Sequence, residues 1–488
     1  MKNILIAIRS IFKKGRHNVM KIVSLGIGLA VGLVLIAKVY FEQSYDDFYP
    51  DRDRVYQVWA KYQQNGGELK DYPQTSGGIA PTMQQQIPEI ETVTRYTSFG
   101  DWTFTMTDTK MKYSGRCIIA DSCFFDILPR PMLIGNAKEV LSTPMYVLIS
   151  SRIAKNIGGD VIGKNFTVDN SPGRTMTIGG VFEEVPENSH SRYDVIVSMA
   201  SAGRFMWEGS PTNMLGNDRY ISYVKLHKGV NPLALEEQVR TFVNSYFPPE
   251  EQQKVGLSID FSFHKLDNLH KELPQVKRMT WILSLLAFAL IFTAVMNYIL
   301  IVISSIVNRS KEVAVHKCYG ASENNIHGMM FGEALVHIVL SLILALLLIL
   351  AFRGTVEELL ATSLDSLLLS NGSLVLLGIC ILVFFVSGFM PGSLYARIPV
   401  ASAFRNYREN KRIWKKALLL VQFVATGFLV TMLVFVARQY TFMVNDRPGY
   451  AYENLAYCGL AGVDSTSRAK ILDEVMRLPG VAAGTTGF

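Results

Sequence analysis

The sequence predicts a membrane α-helical bundle of five transmembrane helices carrying a large extracytoplasmic α+β domain. Three observations predict it. Five apolar runs have membrane-spanning length, basic residues alternate regularly in the segments that join them, and the long stretch between the first two runs has strand and helix periodicities of its own. Hydrophobic residues make up 49% of the 488 residues and charged residues 18%, less charge than the roughly 25% of an ordinary soluble domain.

The runs cover residues 22–41, 281–307, 330–352 (fully apolar from Ala334, apart from His337), 373–396 and 417–437. A hydrocarbon core about 30 Å thick takes roughly 20 helical residues to cross. A buried soluble helix imitates one such run, but not five. Orientation follows from Lys and Arg near the membrane ends. Lys2, Arg9, Lys13, Lys14, Arg16 and Lys21 precede the first run, and Arg309, Lys311 and Lys317 separate the second from the third. Arg397, Arg405, Arg408, Lys411, Arg412, Lys415 and Lys416 separate the fourth from the fifth, whereas the loop before the fourth sets Arg353 against Glu357, Glu358 and Asp365. The basic segments 1–21, 308–327 and 397–416 are therefore expected in the cytoplasm, and 42–279 and 438–488 outside. This is the layout of a multi-pass protein of a bacterial inner membrane with its large domain in the periplasm.

The first run has the basic start and apolar core of a signal peptide, but the core is long and Phe-Glu-Gln-Ser-Tyr-Asp-Asp is a poor cleavage exit. A retained helix is expected, with Gly28 and Gly32 forming a GxxxG that suits a helix-packing face. The net charge of +7 is concentrated at cytoplasmic membrane edges, where it meets anionic lipid. Lipid is thus an expected partner and nucleic acid is not. Of the five cysteines, Cys117 and Cys123 lie outside and either pair or stay as packing thiols; no metal spacing is present.

Within 42–279, Val55–Tyr62 reads as a strand, Ile79–Ile87 as a short helix closed by Pro88, and Ile90–Thr97 as a strand. Near the other end Tyr220–Leu226 is a strand, and Asn231 with Pro232 opens a helix whose Leu235, Val239, Phe242, Val243 and Tyr246 share one face. Leu257–Phe263 alternates as a half-buried strand. Two strand–helix–strand halves are expected to flank a middle insertion that includes the strands Met176–Phe182 and Tyr193–Val197. Beyond the fifth run, Ile471–Val481 resembles Met83–Ile90, so the chain is expected to begin a second copy of its opening and stop within it.

Gly158–Lys164 matches the first seven positions of a phosphate-binding loop, but Asn165 stands where Ser or Thr is needed for Mg²⁺, so a turn before a strand is expected. His264 and His270 are six apart, off the helical spacing of a metal pair, and no nucleophile elbow is visible. No cofactor, metal or catalytic role is expected. Only Lys38, Glu333 and His337 bring titratable groups near the runs, and Lys38 and Glu333 lie near run ends. Ion coupling needs carboxylates in mid-membrane, so energy is expected from a partner.

Arg309-Ser-Lys-Glu-Val-Ala-Val-His-Lys-Cys-Tyr-Gly-Ala-Ser322 follows the second run on the cytoplasmic side. Gly320 suits a left-handed helix end and Ser322 a cap for the next helix. The stretch is either a positive-inside anchor or a docking helix for a cytoplasmic partner. Together with Asn297 and Tyr298, its Arg309, Lys311, Glu312, His316, Lys317, Gly320, Ala321 and Ser322 resemble the signature of the FtsX-like permease domain, in which position 316 is more often Arg. Asp160–Lys164 and Gly180–His190 are similar to segments of the MacB-type periplasmic core domain, and Pro391–Ala396 with Pro399 resembles the exit of the last permease helix.

The resemblance implies the permease subunit of an ABC-type transporter, with a separate cytoplasmic ATPase dimer docked on helix 309–320 through Arg309, Lys311, Glu312 and Lys317. Membrane helices would act as levers on the periplasmic domain, for export with a periplasmic or outer-membrane partner. The alternative it implies is an FtsX-like regulator of a periplasmic cell-wall hydrolase. Single-repeat relatives have four helices and work as dimers, while two-repeat relatives have eight. With five helices, this chain looks like the first part of an eight-helix protein.

Overall fold

The computed structural model describes residues 17–168, 171–368, 372–396, 400, 413–445, 454–459 and 465–485. Most of the basic N-terminal segment and of the 397–416 linker, with Pro399, lies outside the described residues. In chain order come helix α1 (Asn18–Gln43), β1 (Val55–Gln64), β2 (Lys70–Tyr72), α2 (Ile79–Gln86) and β3 (Ile90–Met106). A middle segment supplies β4 (Lys112–Ala120), β5 (Met132–Ile134), β6 (Tyr146–Ser150), β7 (Asn165–Val168), β8 (Ser171–Phe182) and β9 (Val195–Ser198). Then follow β10 (Ile221–Leu226), α3 (Glu236–Tyr246), β11 (Leu257–Lys265), α4 (Pro274–Ser304), α5 (Ile306–Cys318), α6 (Glu323–Ala351), α7 (Ser373–Ala396), α8 (Ile413–Asn445) and α9 (Ser465–Met476). Short helical turns between them are not labelled. The chain divides into two compact units, 1–44 with 273–451, and 45–272 with 452–488.

The first unit holds α1, α4, α6, α7 and α8, which are long and apolar enough to cross a membrane. Helix α1 packs against two neighbours because its glycines leave room. A Cβ on Gly28 would stand 2.2 Å from that of Ala294, and one on Gly32 2.4 Å from Ile291, both on α4. One on Gly26 would stand 2.9 Å from Leu344 of α6. The GxxxG is therefore a packing face, where small residues let backbones approach. Buried Leu25, Leu29, Val295, Ile299 and Ile338 fill the core beside it. The three titratable groups singled out near the runs, Lys38, Glu333 and His337, are buried and partnered. Lys38 reaches Glu42 at 2.7 Å and the Thr362 hydroxyl at 2.8 Å, and His337 meets the Tyr298 hydroxyl at 3.2 Å.

The second unit contains a four-stranded antiparallel sheet in the order β11-β1-β10-β3. Its two halves, β1-α2-β3 and β10-α3-β11, make a split β-α-β arrangement, as the two expected half-units require. Ile79, Ala80 and Met83 of α2 join Val239, Phe242 and Val243 of α3 in one core over this sheet, with Leu235 from the 3₁₀ turn that Pro232 opens. Tyr246 stays 40% exposed at the rim. The inserted segment between β3 and β10 extends the sheet through β4-β9-β6-β8-β5, with β4/β9 and β6/β8 parallel. Strand β3 runs nine residues past its expected end at Thr97. Gly100, at φ +74°, absorbs a bulge there instead of ending the strand. Gly158, Gly159 and Gly163 all have positive φ and form the expected turn into β7. Cys117 and Cys123 are free: Cys117 is fully buried on β4, and the Cys123 thiol donates to the Val93 carbonyl.

Candidate functional site: a capped helix between two membrane spans

Helix α4 stops at Ser304 because its last carbonyls are taken by side chains. The Ser305 hydroxyl donates to the Val302 carbonyl at 2.5 Å, and the Tyr395 hydroxyl of α7 reaches the same oxygen at 3.1 Å. Helix α5 follows after this one-residue break, and its far end closes as a Schellman motif. Ala321 N–H donates to the His316 carbonyl and Gly320 N–H to that of Lys317, both at 3.0 Å, with Gly320 at φ +85°. The Ser322 side chain then accepts from Asn325 N–H and caps α6. Both end signals read from the sequence hold.

The inner face of α5 is locked. Arg309 is 6% exposed and grips Glu333 of α6 with both terminal nitrogens, at 2.8 and 3.1 Å. Its guanidinium lies 5.4 Å from the Tyr395 ring, a cation–π distance. Lys21 of α1, 1% exposed, approaches the same Glu333 at 3.6 Å, and half-exposed Glu312 stands 3.6 Å from Arg309 Nε. Lys317 donates to the Ala396 carbonyl at the end of α7, 2.7 Å away. Helix α5 is thereby tied to α1, α6 and α7.

Within the chain Arg309 acts as an internal strut on Glu333, and Lys317 holds the end of α7. The signal was in the spacing. Arg309 and Ser310 fall four residues before Val313 and Ala314, both buried, so all four share the inward stripe of the helix. Glu333, at the start of the apolar run, lies within α6 and is buried and paired. The exposed face carries Lys311, Val315, His316, Cys318, Tyr319, Gly320 and Ser322, while Ala321 is half-buried. Tyr319, 89% exposed, is the feature the sequence reading did not single out.

In the second unit, the residues that follow α1 and those that precede α4 in sequence are clamped together. Tyr45 stacks on His270 with centroids 3.4 Å apart. Lys271 bridges Asp47 at 3.2 Å and Asp267 at 2.8 Å, and Arg52 reaches both acids. Beside them the fully buried Asp46 accepts from Ser189 Oγ at 3.0 Å and from the His190 backbone at 3.3 Å, and pairs with His190 Nδ1 at 2.7 Å. The other imidazole nitrogen meets the Tyr223 hydroxyl. Burial pushes the phenol of Tyr223 well up and that of Tyr96 to about 12, so both remain neutral hydrogen-bonding groups. The Gly180–His190 segment thus anchors the inserted segment to the entry of the domain.

A MacB-like periplasmic core domain model matches residues 20–242, and an FtsX-like permease C-terminal model matches residues 284–400. The chain belongs to the MacB/FtsX-like ABC permeases. Among solved structures, a domain of a protein named as a permease, from Porphyromonas gingivalis, is 33% identical over 44% of this chain and 91% of its own, with a TM-score of 0.41. The periplasmic region of MacB from Actinobacillus actinomycetemcomitans is 16% identical over 45% and 91%, with a TM-score of 0.29. The extracellular domain of the noncanonic ABC-type transporter YknZ from Gram-positive bacteria is 10% identical over 43% and 98%, with a TM-score of 0.31. No curated protein matches the chain significantly. In this MacB/FtsX-like permease the second unit is the periplasmic-type domain, and α4 to α7 carry the FtsX-like part.

Proposed function

We propose that this permease couples a separate cytoplasmic ATPase dimer, docked on the outward face of α5 and its turn, to its periplasmic domain, in the service of export across a bacterial inner membrane. The observation that carries the proposal is the two-sidedness of α5. One face presents Lys311, His316 and Tyr319, while the other is fixed to α6 and α7 through Arg309 and Lys317, and by way of Glu333 to Lys21 of α1. A push on such a helix moves α1, α6 and α7 with it, since charged pairs at this burial resist separation. Helix α1 leads directly into the Asp46 and Asp47 clamp, so motion there enters the domain where its two chain connections are held together. Arginine and aromatic side chains dominate interface energetics, which makes Tyr319 the expected anchor and Lys311 its charged neighbour.

The test is co-purification from mild detergent, comparing wild type with Lys311→Glu/Tyr319→Ala. An ATP-hydrolysing subunit is expected with the wild type and is expected to be depleted at least tenfold from the variant. Equal recovery from both would overturn the placement, and no ATPase with either would overturn the proposal.

A further inference from the structure

Helix α8 carries an amide where lipid would ordinarily demand an apolar side chain. Gln422 donates to Asn297 Oδ1 of α4 at 3.2 Å. Its own Oε1 is shielded from solvent and has no donor among the described residues. Around this pair lies an open groove of about 560 Å³, lined by Leu300, Ile301, Leu419 and Phe423 with the Ser304 and Thr426 hydroxyls. An orphaned acceptor in an apolar setting bears an uncompensated desolvation cost unless a visiting donor satisfies it.

We propose that this groove binds a long-chain amphiphile of the cytoplasmic leaflet whose polar end carries a hydrogen-bond donor. Four features of the groove specify that occupant. Its volume lies in the roughly 300–1,000 Å³ range of small-molecule sites. The Gln422 Oε1 is an acceptor shielded from solvent with no donor among the described residues. The walls are apolar for a chain, and the convergent amide and hydroxyls suit one polar end. Both wall segments belong to helix ends on the side that the basic residues assign to the cytoplasm, the last turns of α4 and the early turns of α8. The Ser305 break into α5 follows directly, so an occupant sits beside the joint at which α5 departs.

The site adds an entry point to the export reading but stands or falls separately from it, because its test involves no ATPase. The full chain is reconstituted in lipid nanodiscs and irradiated with a diazirine-bearing N-acyl amino alcohol. The methyl ester of the same diazirine fatty acid, which has no donor, serves as the comparison. Labelling is expected to concentrate on peptides covering 297–304 and 419–426, at least fivefold above the lipid-facing part of α7, with the ester at background. Leu419→Trp fills the groove while leaving the Asn297–Gln422 bond in place, and is expected to reduce labelling to the ester level. Gln422→Leu is expected to erase the preference for the amino alcohol. Labelling spread evenly over α4, α7 and α8, equal labelling by the ester, or a Leu419→Trp protein that labels like wild type would each overturn the proposal.

Discussion

Replacing Glu333 with Gln removes the carboxylate on which Arg309 and Lys21 converge, at 2.8 and 3.6 Å. Both cations are nearly sealed from solvent, at 6% and 1% exposure, so neither recovers hydration without unpacking a helix. Removing one partner of a buried pair costs about 3–5 kcal/mol. Glu312 remains within 3.6 Å of Arg309 and the Asn18 side chain within 3.3 Å of Lys21, so each cation keeps one polar neighbour. At roughly 2–4 °C per kcal/mol for a body of this size, thermal unfolding in detergent is expected to fall by roughly 6–20 °C. The double variant Arg309→Met/Glu333→Met is expected to recover part of the loss, because well-packed apolar residues often replace a buried pair at little cost. A Glu333→Gln protein melting within about 2 °C of wild type would refute the view of Glu333 as the joint between α1, α5 and α6.

Other outcomes follow from the same structure. Gly28→Leu places bulk where a Cβ alone would meet Ala294 at 2.2 Å, so it is expected to separate α1 from α4 and abolish a disulfide engineered between them that forms in wild type. Ser322→Ala removes the cap of α6 and is expected to cost about 1 kcal/mol, measured as a lower melting temperature without loss of secondary structure by circular dichroism. Asp51 is held below the usual carboxylate range by hydrogen bonds from Lys225 and Arg54. Its contribution is therefore complete above an unfolded pKa of about 3.9 and is lost as pH falls through the lower folded value; Asp51→Asn is expected to flatten the acid limb of the stability profile. Maleimide added from the cytoplasmic side is expected to label exposed Cys318, and from the outer side exposed Cys458, whereas buried Cys117, its thiol pushed up by desolvation, labels only after unfolding.

The fold was legible where one period dominates. Run 373–396 coincides with α7, and strand 257–263 lies within β11, because apolar length and strict alternation each admit one reading. Strand β3 continues past Thr97 because the bulge at Gly100 keeps it paired with β4, and only that pairing separates a bulge from a strand end. At the docking segment, Gly320 and Ser322 act locally, and their roles follow from backbone geometry alone. Arg309, Lys317 and Glu333 take their roles from helices distant in sequence. A basic residue at a membrane edge looks the same whether it meets lipid, a partner or a buried carboxylate. Asp46 and His190 are 144 positions apart, and nothing local announces their pairing.

The most direct measurement places a photo-crosslinking amino acid at position 319 in the living cell and identifies the captured protein by mass spectrometry. A cytoplasmic protein that hydrolyses ATP when purified is the predicted product, and it should disappear when Lys311→Glu is introduced in the same chain. Capture at 319 of lipid alone, or of a protein exposed only to the outside, would contradict the account of α5 as the point where an ATPase meets the membrane helices.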